Sequence, residues 1–369
     1  MQFAFLQILK KYDTSFFIIA SAIFLIGILN LYSGTHMDSN MTLANLYKRQ
    51  LILYLFAILV GLLISFIRPK ALYRYSYAIY IFNIILLALV LWVGDKGMGA
   101  KRWLVMGPIR IQPSELMKIS VILALARWYS GHGSGTPLNL KGLIIPFIMA
   151  AIPAIMIIIE PDLGTGLIIL IAFAVISFYR NLKLKTMAIL FILALVGGTT
   201  MYNFGLEEYQ RKRIVSFLDP AADLKGSGYN AHQSKIAIGS GQLFGKGFKK
   251  SSQASLNYLP ENHTDFVFSV FNEEHGFFGS LVLIILYIVL FFRFIWLSSA
   301  VVNLYESIIA IGIMSLFFSH TIINISMTIG LLPIVGLPLP LMSYGGSNLL
   351  TFGIGLGMAT GISNSRILF

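Results

Sequence analysis

Ten runs of about twenty mainly apolar residues follow one another along this chain, and a helix of that length is what crosses the hydrocarbon core of a bilayer. They lie near 14–34, 49–67, 72–93, 113–130, 142–159, 163–179, 186–206, 277–297, 304–327 and 347–365. Of the 369 residues 57% are hydrophobic and only 11% are charged. A soluble domain covers itself with roughly a quarter charged residues, so the outer surface of this chain must face lipid. The expected fold is an all-α integral membrane protein with about ten transmembrane helices, a single polytopic domain over 1–369. Lys10 and Lys11 precede the first run and no small-x-small cleavage site follows it, which marks a retained span. The net charge of +12 is scattered over short loops, not gathered on one face, so it does not point to nucleic acid. With no cysteine there is no disulfide, thiolate zinc site or thiol nucleophile.

Ten spans bring both termini to one side. That side carries Lys10, Lys11, Arg68, Lys70, Arg74, Arg127, Lys141, Arg180, Lys183, Lys185, Arg293 and Arg366 against the acidic Asp13 and Glu306. The short loops opposite hold only Lys48, Arg49, Lys96, Lys101, Arg102 and Arg110. Basic loops stay in the cytoplasm, so cytoplasmic termini are expected. The stretch 207–276 then falls outside. It holds eight Lys/Arg and eight Asp/Glu, so charge did not place it. Its length marks it as functional or disordered. Ile214, Val215, Phe217, Leu218, Ile236, Ile238, Leu243 and Phe244 argue for short interfacial helices on the bundle mouth.

In the last run Gly353, Gly357 and Gly361 recur every four residues, a spacing that lets a neighbouring backbone approach one helix face. Gly245-Lys246 lacks both the upstream glycine and the following Ser or Thr of a phosphate loop, which argues against an ATP-driven pump. What remains is polar residues at membrane depth, where they are costly and usually functional. Glu115 and Lys118 share a helix face and can pair, either to brace the interior or to serve a site. Lys101-Arg102-Trp103 sets two cations beside an interfacial indole, suited to phosphate oxygens or to headgroup anchoring. Glu160-Pro161-Asp162 is a tight charged turn, functional or simply unable to enter lipid. In Pro260-Glu261-Asn262-His263-Thr264-Asp265-Phe266, Asn262 or Thr264 can cap a following helix with Asp265 in its first turn. Gly330 to Ser347 has no charge and is rich in Pro and Gly, as befits a re-entrant loop buried in protein.

Taken in order, Arg102-Trp103, Gln112-Pro113-Ser114-Glu115 with Lys118, Glu160-Pro161-Asp162-Leu163-Gly164-Thr165, His263-Thr264-Asp265-Phe266 and Pro338-Leu339-Pro340 to Ser347 resemble the SEDS family (shape, elongation, division and sporulation). Ile334-Val335-Gly336-Leu337-Pro338, and Ser252-Gln253 before Tyr258-Leu259-Pro260-Glu261, look more like its rod-shape elongation branch, RodA, than its division branch, FtsW. The resemblance implies a peptidoglycan glycosyltransferase that polymerises lipid II in the bacterial inner (cytoplasmic) membrane. It puts the catalytic aspartate at Asp265. The substrate-binding positions expected with it are Lys101, Arg102, Glu115, Lys118, Glu160, Asp162, His263, Ser343 and Tyr344. It also implies a class B penicillin-binding protein (a transpeptidase) as partner, beside lipid II and membrane lipid. A divalent cation (Mg or Mn) on the pyrophosphate is what the resemblance suggests, although no compact ligand cluster in the sequence would hold it.

The implied reaction joins an α-linked pyrophosphoryl sugar to a 4-hydroxyl and gives a β bond, so a single inversion suffices. It needs one base and stabilisation of the departing pyrophosphate, unlike the paired carboxylates of glycoside hydrolysis. Asp265 is the candidate base. A first-turn position would keep it ionised and weak, leaving positioning and the cations Arg102, Lys101 and Lys118 to do most of the catalysis. Two other classes compete: a lipid II flippase or transporter, and a non-catalytic scaffold for a transpeptidase. A transporter places its site near the midplane, reachable from both faces, whereas Asp265, Arg102 and the long loop are expected together outside.

Overall fold

The computed structural model describes residues 12–35, 45–97, 100–106, 109–132, 138–219, 226–256 and 258–368. Lys10 and Lys11, counted above toward the cytoplasmic side, lie outside the described residues. In chain order the elements are α1 (Ser15–Thr35), α2 (Leu46–Ser65), α3 (Pro69–Val93), β1 (Asp95–Gly97), β2 (Ala100–Met106), β3 (Ile109–Ile111), α4 (Pro113–Gly131), α5 (Leu140–Ile159), α6 (Leu163–Tyr179) and α7 (Leu184–Thr200). A π-turn at Met201–Gly205 extends α7, and α8 (Glu208–Leu218), α9 (Ser227–Gly241), α10 (Ser252–Ser255), α11 (Val267–Ala300), α12 (Leu304–Ile329) and α13 (Gly346–Leu368) follow. A helix stands at each of the ten apolar runs. Six of them, α1, α2, α3, α5, α11 and α12, are long and apolar enough to cross a membrane by length and composition.

Two features depart from expectation. The first is that the chain is not wholly α: β1, β2 and β3 form an antiparallel sheet in that order, with Trp103 opposite Asp95 and Leu104 opposite Ile111. Trp103, Leu104 and Val105 favour extended backbone, and Gly97, Gly99, Gly107 and Pro108 punctuate the segment before a helix could complete two turns. The second is a short helix over 267–275 that precedes the span expected from 277; the two meet at a kink at Gly276, whose φ of 66° favours glycine. Val267–Glu274 is buried throughout, so this short helix packs into the bundle.

α4 and α12 occupy the middle. α12 packs on α4, α6, α9, α11 and α13, and apart from Phe318, Ile322 and Ile329 its side chains are buried or half-buried. α13 lies against α2 through the three glycines: a Cβ on Gly353 would stand 2.6 Å from Ala57 O, one on Gly361 2.9 Å from Ser65 O, and one on Gly357 would strike Gly61 O. Glycine here lets two backbones touch, and the contact area replaces what side chains would supply. Ile81, Phe82, Ile85 and Leu89 of α3 and Ile144, Phe147, Ile148 and Ile155 of α5 point outward, an apolar exterior that no soluble fold carries.

From Gly330 to Gly345 the chain runs without helix through the bundle. Leu337, Leu339, Leu341 and Met342 are buried, and Met342 Cα packs against Gly27 of α1. Tyr287 donates to Pro340 O at 2.5 Å, Gln50 Nε2 donates to Ser343 O at 3.0 Å, and Gly345 N donates back to Gln50 Oε1 at 3.2 Å. Irregular backbone at this depth is tolerated because protein groups satisfy it.

Candidate active site

Asp265 sits in a tight turn, its N–H donating to Glu261 O at 3.1 Å. Helix α11 starts two residues later with Phe266 as N-cap and no side-chain cap bond. The expected capping by Asn262 or Thr264 is therefore absent; Thr264 Oγ1 donates instead to Glu261 Oε2 at 2.9 Å. The reason is local: Glu261 takes a positive φ of 54°, which tightens the turn and satisfies the amides of Thr264, Asp265 and Phe266 before the helix begins. Asp265 thus lacks the helix-terminal stabilisation expected for its anion. Burial raises its pKa to about 6, the charge of Glu261 adds to this, and Arg213 opposes it. It is a stronger base than its position in sequence suggested.

The turn is fastened to the 330–345 segment. Ser343 Oγ donates to Thr264 O at 2.6 Å, and Tyr344 N donates to His263 O at 2.9 Å. Asn324 Nδ2, on α12, donates to both Asp265 O (2.9 Å) and Leu337 O (2.8 Å). Gly336, at φ 78°, lets the backbone pass close to the carboxylate: a Cβ there would lie 3.3 Å from Asp265 Oδ2 and 3.9 Å from Arg213 Nη1. Ser343 and Tyr344 are therefore joined to the turn that carries Asp265, Ser343 through its hydroxyl and Tyr344 through its backbone amide.

Glu115 and Lys118 form a pair inside the bundle, Nζ to Oε1 at 2.9 Å, with Lys118 1% exposed. Lys118 Nζ also meets His320 Nε2 at 3.0 Å, and His320 Nδ1 lies 3.3 Å from Pro338 O. A proton on Nδ1 satisfies both contacts, since Nε2 is then free to accept from the ammonium. His320 and Asn324 are one helical turn apart and hold the successive carbonyls of Pro338 and Leu337. The ion pair thus reaches the segment beside Asp265 through His320, and Asn324 holds the same segment one turn further along α12. Neither was singled out in the sequence, although a polar side chain inside an apolar run is the signal that would have found them.

Arg102, Glu160 and Asp162 form a second group. Arg102 Nε donates to Glu160 O at 3.0 Å and its Nη2 donates to Pro161 O, so the guanidinium clamps the turn. Asp162 caps α6, accepting from Thr165 N at 3.1 Å and Thr165 Oγ1 at 3.0 Å, and Gln112 Nε2 reaches it at 3.3 Å. Glu160 is only 2% exposed, and neither carboxylate oxygen has a hydrogen-bond partner among the described residues. Burial, and then Asp162, raise its pKa to about 8 against the pull of Arg102. Gly164 at the start of α6 packs on Val335 and Leu337, so this turn and the Asp265 turn flank the same loop. Lys101 belongs to β2, and its side chain lies outside what the structure describes.

Arg213 of α8 was missed in the sequence because it sits in a charge-neutral stretch. Its Nη1 donates to Ile334 O at 3.2 Å beside the catalytic candidate. Among the described residues no three acidic or imidazole side chains converge as a metal centre. Glu261 and Asp265 are two carboxylates at this turn, a number that would hold Mg2+ only together with the phosphates of a substrate.

The family model described as "Cell cycle protein", which groups FtsW, RodA and SpoVE, matches residues 13–367. The chain is 34% identical over 354 residues to the peptidoglycan glycosyltransferase MrdB of Escherichia coli (strain K12), covering 96% of this chain and 94% of the relative. It is 37% identical over 336 residues to the protein of the same name from Helicobacter pylori (strain ATCC 700392 / 26695), covering 88% and 85%. Among solved structures it resembles a chain from a study of how a peptidoglycan synthase complex coordinates polymerization and crosslinking, with a TM-score of 0.81, 30% identity and coverage of 97% and 99%. It also resembles the rod-shape-determining protein RodA of Thermus thermophilus, with a TM-score of 0.72, 29% identity and coverage of 97% and 98%.

Proposed function

Because the chain belongs to the FtsW/RodA/SpoVE family of cell cycle proteins, the SEDS family that its motifs resemble, we propose that it polymerises lipid II into glycan strands during cell elongation. It is a peptidoglycan glycosyltransferase of the MrdB/RodA type. The acceptor 4-hydroxyl attacks the anomeric carbon of the lipid-linked donor, and Asp265 takes the hydroxyl proton. The bond from that carbon to the pyrophosphate oxygen breaks, and its electron pair leaves with the pyrophosphate. The observation that carries this reading is the Asp265 carboxylate, raised to about 6, held beside Arg213 by a turn fastened at Ser343 and Asn324. A base near the working pH accepts a proton more readily than one with an ordinary carboxylate pKa.

All ten long helices span the bacterial inner membrane, with both termini in the cytoplasm and 207–276 outside. The basic bias of the loops between them supports this orientation. The partner is a class B penicillin-binding transpeptidase, a reading supported by similarity to a chain studied in a polymerising and crosslinking synthase complex. The transport reading gains no support: Arg102, Glu160, Asp162 and Asp265 gather around one loop and are not spread along a path through the bundle. The test is glycan synthesis by the purified protein from lipid II, with and without its cognate transpeptidase. Strands are expected in both cases, and more with the partner; no strand in either would overturn the reading.

A further inference from the structure

The sequence suggested Arg102, Lys101 and Lys118 as cations for the leaving group. Arg102 clamps two backbone carbonyls, and Lys118 is sealed inside an ion pair. Arg213, which also donates to Ile334 O, stands beside Asp265, and Lys235 lies farther along the same cleft. The cleft is open where α8 and α9 meet the 330–334 segment, and Arg213, Ser216 and Lys235 supply its polar side chains. Arg213 forms the wall toward Asp265, since its Nη1 and the Asp265 carboxylate flank the same point above Gly336. Lys235 lies across Gly330 on the other side, exposed, and no carboxylate pairs with it among the described residues.

The rim of this cleft is apolar and open. Ile329, Leu331 and Leu332 are 37%, 67% and 38% exposed, a ledge directly beside the two cations. Cations over exposed hydrocarbon suit an anion carried on an apolar chain and not a soluble nucleotide. Two cations match a pyrophosphate better than a single phosphate, and a guanidinium can bind two of its oxygens at once. In the displacement described above, negative charge grows on the pyrophosphate as the bond to the sugar breaks. Donors fixed where that charge develops lower the barrier.

We infer that Arg213 and Lys235 hold the pyrophosphate of the lipid-linked donor, so that the cleft between α8, α9 and the 330–334 segment is the leaving-group site; this rests on the glycosyltransferase reading.

Binding can be read without turnover. The purified full-length protein, in nanodiscs of uncharged lipid, is titrated with fluorescent farnesyl pyrophosphate, with farnesyl monophosphate, and in competition with phosphatidylglycerol. The pyrophosphate should bind at least tenfold more tightly than the monophosphate, and phosphatidylglycerol should not displace it. Arg213→Met and Lys235→Met should each weaken pyrophosphate binding about ten- to a hundredfold, as the loss of a charge-assisted hydrogen bond does. Arg213→Lys should recover part of the loss, and Lys212→Met, which removes an exposed charge from the same helix, should change nothing. Unchanged pyrophosphate binding in both Met variants would overturn the site, as would equal affinity for the monophosphate or displacement by phosphatidylglycerol. If Arg213→Met fails to fold, Lys235→Met carries the test, since its side chain is exposed. A protein that binds pyrophosphate through these residues but makes no glycan from lipid II with its transpeptidase keeps the site and loses the polymerase reading. Glycan synthesis with pyrophosphate binding untouched in both variants does the reverse.

Discussion

Asp265 owes its chemistry to its neighbours. A carboxylate accepts a proton only when ionised, so with a pKa near 6 turnover should rise with pH through about 6 and level off above it. A rate that stays flat from about pH 5 to 8 would remove Asp265 as the base. Asp265→Asn keeps the shape and loses the proton acceptor, so glycan synthesis should fall about 10²–10⁴-fold while the protein stays folded and still binds lipid II. Synthesis at near wild-type rate would sink the mechanism. Glu160 makes a separate prediction. Its folded pKa of about 8 lies above its ordinary value of 4.5, so the folded state binds the proton more tightly than the unfolded one. Ionisation therefore costs stability progressively as pH rises from 4.5 to 8. Glu160→Gln should melt like the wild type near pH 4 and at a higher temperature by about pH 9; equal melting at the higher pH would mean that the carboxylate has a partner after all.

At the scale of elements, α4 and α12 are the frame on which the site is hung. Removing one member of a buried pair costs about 3–5 kcal/mol because the other charge is left stranded. Glu115→Ala should therefore lower the melting temperature in detergent and reduce activity, through Lys118, His320 and the Pro338 carbonyl. An inactive variant with an unchanged melting profile would instead give Glu115 a direct part in substrate binding. The α2–α13 seam can be tested independently of chemistry. Gly357→Ala forces a methyl into the Gly61 backbone and should cost about 1–3 kcal/mol. Gly198→Ala on α7, whose added carbon would meet nothing within 4 Å, should be neutral or slightly stabilising. A Gly357→Ala protein as stable as the wild type would mean that the two helices can slide apart without loss.

For the whole molecule, the decisive property is its orientation in the membrane. The chain has no cysteine, so a single cysteine reports one position without background. Ser255 is exposed on α10, in the part of the chain assigned outside. Ser255→Cys should react with an impermeant thiol reagent in intact cells. Labelling only after lysis would invert the topology and put Asp265 on the cytoplasmic side, away from any periplasmic acceptor.

The positions of the helices at the ten apolar runs were legible in the sequence because they depend on local quantities, the length and hydrophobicity of each run. The glycine spacing of α13 was legible for the same reason, since a four-residue repeat defines a helix face without reference to its partner. The Glu115–Lys118 pair also followed from spacing alone. The surroundings of Asp265 did not. Arg213, Asn324 and Gly336 come from three distant segments, and only packing brings them to one carboxylate. Its raised pKa depends on burial and on charges across space, which no spacing rule contains. Likewise Arg102 read in the sequence as a cation for phosphate oxygens or headgroups, and the tertiary structure alone decided that the carbonyls of Glu160 and Pro161 already hold it.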